Sequence, residues 1–105
     1  MALVTTRVIN FRQDGVEFEY ASPIPDLTAK TVRRFSYGEE PKVIAELELT
    51  DGRTVEVHGY AEHWTTDEVV VTWSDDDLRH FSVWVPAGNV RHTPEDEWHG
   101  NFVSR

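Results

Sequence analysis

The sequence predicts a mainly β protein built from antiparallel strands, and three observations carry that prediction. Between Lys42 and Pro86, apolar residues recur at odd positions through four successive segments, the period of a sheet with one face buried. β-Branched and aromatic residues dominate these rows. Gly, Asp and Pro punctuate the gaps between them, where chain reversals need positive φ or a missing donor.

At the amino end, Leu3–Phe11 and Val16–Tyr20 flank Gln13-Asp14-Gly15, which reads as a β-hairpin. Ser22-Pro23-Ile24-Pro25 should then break the pairing. Asp26 is suited to cap a short helix over 27–35, but Thr28, Thr31 and Val32 are indifferent helix formers, so a strand there stays open. Ser36–Pro41 reads as a loop.

The apolar rows follow. Val43, Ala45, Leu47 and Leu49 form the first; Val55, Val57 and Gly59 the second; Val69, Val71 and Trp73 the third; Phe81, Val83 and Val85 the fourth. Facing residues must pair odd with odd if the rows are to share a face, which selects a three-residue loop, Thr50-Asp51-Gly52, with Leu47 opposite Val55 and Gly52 left-handed. The same rule sets Trp73 opposite Phe81 and Val71 opposite Val83. Pro86 ends the fourth strand, Gly88-Asn89 tolerates a tight turn, and Val90 re-enters the core. Thr93 as N-cap, Pro94 at the first position and the acidic run Glu95–Glu97 predict a short helix over 94–99, anchored by Trp98.

A twisted meander that closes with a Pro-initiated turn and a short last strand resembles the SH3-like or Tudor-like small barrels. The resemblance covers roughly Lys42–Thr93, and its most specific piece is the stretch VWVPAGNV from Val83 to Val90. It implies a small antiparallel barrel or strongly twisted sheet, here with an N-terminal hairpin and a short C-terminal helix. It also implies a ligand-gripping acidic loop, echoed by Glu62–Glu68, and an aromatic patch, echoed by Tyr60, Trp64 and Trp84. The paired Trp-Trp of peptide-binding SH3 domains is absent from the sequence.

One domain accommodates all 105 residues: hairpin and connector over 1–37, meander over 42–93, helix over 94–99. There is no cysteine, so stability must come from packed apolar area. Met1–Gly15 lacks the apolar stretch of a secretory signal and no run is long enough to span a bilayer, which predicts a cytoplasmic protein with no membrane partner. Net charge is −9 and uneven: Met1–Tyr37 carries +1 and Gly38–Arg105 carries −10. Such a field repels a phosphate backbone and disfavours direct nucleic-acid binding.

No nucleophile elbow, phosphate loop, dinucleotide fingerprint or metalloprotease helix is present, so the sequence predicts no enzyme and no cofactor. His58 and His80 fall on the even face; with His63 and Glu62 they are the candidates for a metal or acid-base cluster. Asp75-Asp76-Asp77 lacks the spacing of a Ca²⁺ loop and reads as a solvated hairpin tip. Tyr60 and Trp84 share the even face, with Trp64 in the following loop. They form either a second core layer or a contact surface. On the second reading, Tyr60, Trp64 and Trp84 with Glu62, Asp67 and Glu68 bind a basic or peptide-like protein, or a second copy of the chain. The alternatives are an acidic mimic of nucleic acid and a small metal-dependent enzyme.

Overall fold

The computed structural model describes residues 6–24, 31–36 and 38–100. Strands β1 (Thr6–Gln13) and β2 (Val16–Pro23) form a hairpin closed by Asp14-Gly15. Both turn residues have positive φ, 52° and 79°, the two-residue turn whose twist matches that of the strands it joins. A second antiparallel sheet holds β4 (Lys42–Glu48), β5 (Thr54–Trp64), β6 (Glu68–Ser74), β7 (His80–Pro86) and β8 (Val90–His92) in the order β7-β6-β5-β4-β8. The two-residue β3, Arg33–Arg34, pairs with the end of β5.

Parity governs this sheet as the sequence expects. Leu47 faces Val55, Val71 faces Val83 and Trp73 faces Phe81. The β4–β5 loop is the three-residue one, with Leu49 N–H donating to the Arg53 carbonyl at 2.8 Å and Gly52 at φ 87°. Val43, Ala45, Leu47, Leu49, Val57, Val71, Trp73, Val83 and Val85 are buried on one face. Ile9, Phe11 and Tyr20 of the hairpin cover them, with Phe11 edge-on to Trp73 at 5.4 Å between centroids. Val90 packs against the same core after a single 3-10 turn, Ala87–Asn89.

Four expectations need correction. The two sheets do not close into a barrel. Where β2 approaches β7, side chains replace the main-chain ladder: Tyr20 Oη donates to the Trp84 carbonyl at 2.9 Å, and Trp84 N–H donates to Ser22 Oγ at 3.1 Å. Pairing also persists through Ser22 and Pro23, which face Arg7 and Thr6. Pro23 shares the parity of Glu19, whose carbonyl is bonded outside the hairpin by Thr50 N–H, so its missing donor falls on the outer side of the ladder.

The helix expected over 94–99 is only a 3-10 turn, Glu95–Glu97. So short a segment cannot repay helix nucleation, and Trp98 and His99 are instead held by β5. Of the segment 27–35, residues 27–30 lie outside the described residues; Arg33 and Arg34 are extended, which is the strand reading.

The acidic tip is not simply solvated. Asp75 is 3% exposed and accepts the main-chain N–H groups of Arg12, Asp77 and Arg79 and the Arg79 guanidinium. Asp76 receives N–H bonds from Asp14 and Gly15 and donates its own N–H to the Arg12 carbonyl. The tip thereby fastens one end of the hairpin, while Thr50 fastens the middle of β2 through Glu19. No helix among the described residues is long and apolar enough to cross a membrane.

Candidate functional site

A one-residue bulge in β5 decides which of the candidate residues meet. Ala61 faces Val71 and His63 faces Val70, so Glu62 is an extra residue on the β5 side. Directly opposed residues share a face, so Glu62 and His63 join Val70 and Trp84 in one row on the even face. Arg34, opposite His63, extends that row onto β3. Beyond the bulge the parity of β5 is inverted. Trp64 faces Val69 and lies on the core-side face, where its ring meets Phe35 at 4.3 Å between centroids.

The predicted trio of aromatics is thus divided. Trp84 is half-buried on the even face. Trp64 is the last residue of β5, not part of a loop, and looks the other way. Tyr60 is on the even face but only 7% exposed, because Trp98 lies over it at 5.2 Å between centroids. Trp98 is fixed there by its indole N–H, which donates to the Gly59 carbonyl at 3.0 Å, and by the Lys42 ammonium 4.8 Å from its ring. Tyr60 therefore belongs to a second packed layer.

The acidic residues separate similarly. Glu62 accepts the Thr72 hydroxyl at 2.6 Å, and Thr72 in turn meets the Ser82 hydroxyl at 2.8 Å. This polar bridge ties β5, β6 and β7 together on the same face as Trp84, at the next same-face pair along the β6–β7 ladder. Glu68, two residues before Val70 and on the same face, accepts the Thr65 hydroxyl at 2.8 Å. Asp67 is exposed in the β5–β6 turn, where its carbonyl accepts the Ala87 N–H. Trp84, Val70, Glu62, His63 and Glu68 therefore share one face of the sheet, and each of them is partly exposed there.

The histidines do not assemble. His80 is at the far end of β7, 3.2 Å from the Ser74 hydroxyl, His63 is in the Trp84 row, and His58 contacts His99, with 5.6 Å between ring centroids. Among the described residues no three His, Asp or Glu side chains are grouped to hold a metal ion. Burial, followed by the neighbouring His99, lowers the His58 pKa below its ordinary value.

Two concavities lie away from this surface. A cleft of about 650 Å³ opens between the hairpin tip and the ends of β5 and β6, with Asp14, Glu56, His58, Asp76 and His99 on its walls. A cavity of about 360 Å³ lies on the core-side face, walled by Phe35 and Trp64. Sequence reasoning passed over Phe35 and His99. The only local signal for Phe35 was an aromatic residue in an otherwise polar connector, and nothing in sequence marked the bulge that brings Trp64 to it. Compared with protein-family models, curated proteins and solved structures, the chain matches none.

Proposed function

We propose that this protein is a small acidic interaction module that binds a basic, peptide-like partner on the even face around Trp84. The observation that carries the reading is the shared row: a partly exposed indole flanked by Val70, with the Glu62 and Glu68 carboxylates on the same face of the sheet. An indole supplies contact area at little entropic cost and attracts a cation to its ring, while the carboxylates select the sign of that cation. The bond from Thr72 orients Glu62 before any partner arrives, which lowers the ordering cost of association. Arg34 at the far end of the row sets a polarity, favouring a partner segment that is basic over Trp84 and acidic or neutral over β3.

The test is calorimetric titration with synthetic lysine- and arginine-containing peptides, repeated with Trp84→Ala. The expected result is loss of binding by the variant, with its circular-dichroism spectrum unchanged and a smaller loss for Glu62→Gln. Undiminished binding by a folded Trp84→Ala would overturn the reading. Capture of a nucleic-acid-binding protein in competition with DNA, steeply weakened by salt and indifferent to Trp84, would replace it with the nucleic-acid mimic.

A further inference from the structure

The 360 Å³ cavity lies on the opposite side of the sheet from Trp84, at the end of the core-side face away from the Asp14-Gly15 tip. Its floor is apolar, formed by Val43, Ala61, Val69 and Val90, and its wall is the Phe35–Trp64 ring pair. The bulge creates that wall. Without the extra residue Glu62, strand alternation would turn Trp64 to the even face and leave Phe35 without its ring partner.

Charge distinguishes this cavity from the rest of the molecule. The chain has nineteen Asp and Glu residues, and the larger cleft at the hairpin tip takes four of them into its lining, Asp14, Glu56, Asp75 and Asp76. Among the described residues lining the Phe35–Trp64 cavity there is none. Its polar groups are instead the imidazole of His92 and the side chains of Thr65 and Thr66. The Thr65 hydroxyl is engaged with Glu68 and with main-chain N–H groups of its own turn, which leaves His92 and Thr66 to meet a ligand.

Arg33 stands directly opposite Trp64 in the β3–β5 pair and so shares its face. Its exposed guanidinium has no ion-pair partner among the described residues. Arg7 and Arg34 share that lack among the described residues, whereas Arg12, Arg53, Arg79 and Arg91 pair with carboxylates; of the three unpaired arginines it is Arg33 that stands opposite Trp64.

We infer that the cavity between Phe35 and Trp64 is a small-molecule site for a planar aromatic carboxylate. The ring system enters between the indole and the apolar floor. The carboxylate remains at the mouth, where His92 of the lining donates to it and Arg33, outside the lining but beside Trp64 on the same face, reaches across to it. A mostly apolar concavity with few convergent polar groups is the usual form of such a site, and its volume suits one or two fused rings. A bidentate guanidinium contact is the strongest available for a carboxylate head. A cationic ligand of the same shape finds no counter-charge in the lining. This site and the Trp84 surface are on opposite faces, so the failure of either leaves the other standing.

The test uses 2-naphthoate and its uncharged analogue 2-naphthamide, titrated calorimetrically and followed by ¹H–¹⁵N chemical shifts. The expected result is one naphthoate per chain, with shifts confined to residues around Trp64, Val69 and His92. Naphthamide should bind about tenfold more weakly, and Arg33→Gln should bring naphthoate down to the affinity of naphthamide. Trp64→Ala should abolish binding of both; because that change removes a packed ring, the exposed Arg33→Gln is the control for folding. Equal affinity for the two probes, unchanged binding by Arg33→Gln, shifts mapping to the hairpin-tip cleft, or no binding at all would each overturn the inference. So would self-association abolished by Trp64→Ala, which would show that a second copy takes the cavity.

Discussion

The main-chain N–H of His99 donates to Nδ1 of His58 at 3.0 Å, so the neutral His58 must present a lone pair at Nδ1 and carry its one ring proton on Nε2. That bond, with the Trp98 indole bond to Gly59, straps 98–100 across β5 and over Tyr60. Gly100 is part of the strap, since a Cβ there would come within 2.6 Å of the His58 carbonyl oxygen.

Protonating His58 replaces the acceptor with a donor that opposes the His99 N–H. Around the imidazole, burial and the charge of His99 lower the His58 pKa, Glu56 raises it and Arg91 lowers it further, leaving it below the ordinary 6.5. Between that folded value and 6.5 the unfolded chain binds more protons than the folded one, so acidification through this window weakens the fold, and the strap first. The Trp98 indole resonance should shift toward free indole over that range. His58→Asn, whose Oδ1 keeps an acceptor that does not titrate, should hold the strap throughout, and His58→Leu should release it at every pH. Identical titrations of wild type and His58→Asn would refute the latch.

Gly59 lets β5 and β6 approach closely beneath the strap. A Cβ on it would press into the Thr72 carbonyl oxygen and stand 3.0 Å from the carbonyl carbon, and backbone cannot yield as a side chain can. Gly59→Ala should cost about 2 to 3 kcal/mol, read from urea unfolding midpoints at constant m-value. Gly88→Ala, with open space around its Cβ, should be nearly neutral in the same assay.

Asp75 carries the hairpin-tip connection. Burial alone would raise its pKa, but the N–H bonds from Arg12 and Arg79 and the Arg79 charge outweigh it and hold the carboxyl below its usual 3.8. Its stabilising effect is complete above 3.8 and is lost as pH falls through the folded value. Asp75→Asn should therefore lower stability by about 2 to 3 kcal/mol at neutral pH. The deficit should shrink in unfolding curves recorded near pH 2. A constant deficit at both pH values would show that shape, not charge, matters there.

Tyr20 behaves in the opposite sense. Burial, with a smaller contribution from Glu48, raises its pKa from 10.0 to about 12. The folded hydroxyl keeps its proton while the unfolded one loses it, so stability is full below pH 10 and declines as pH rises from 10 toward 12. Tyr20→Phe should cost about 1 kcal/mol at neutral pH through the lost bond to Trp84, and should flatten this alkaline decline. Urea midpoints against pH for the two proteins check both parts.

The rows from Val43 to Val85 and both register assignments were legible because strand alternation has a period of two and a buried face tolerates no slip. Asp14-Gly15 and Thr50–Gly52 were legible because their conformations restrict which residues fit. The bulge at Glu62 was not, since one inserted residue leaves local composition unchanged and becomes visible only when β6 lies beside it. That single insertion moved Trp64 away from Tyr60 and Trp84, and with it the composition of the expected aromatic surface. The helix over 94–99 had sound local signals, but His58 and Gly59 compete for its last residues from forty positions away in sequence.

The bonds that Tyr20 and Ser22 make to Trp84 also bear on how this molecule behaves in company. The outer rim of β7 would otherwise present a run of unsatisfied groups, the template on which stray chains add and fibrils grow. Trp84 has both its donor and its acceptor occupied from within, and Pro86 has no donor to offer. At Trp84 the rim of β7 therefore offers an incoming strand no free main-chain group, and loss of the two hydroxyls together would return that donor and acceptor to the edge.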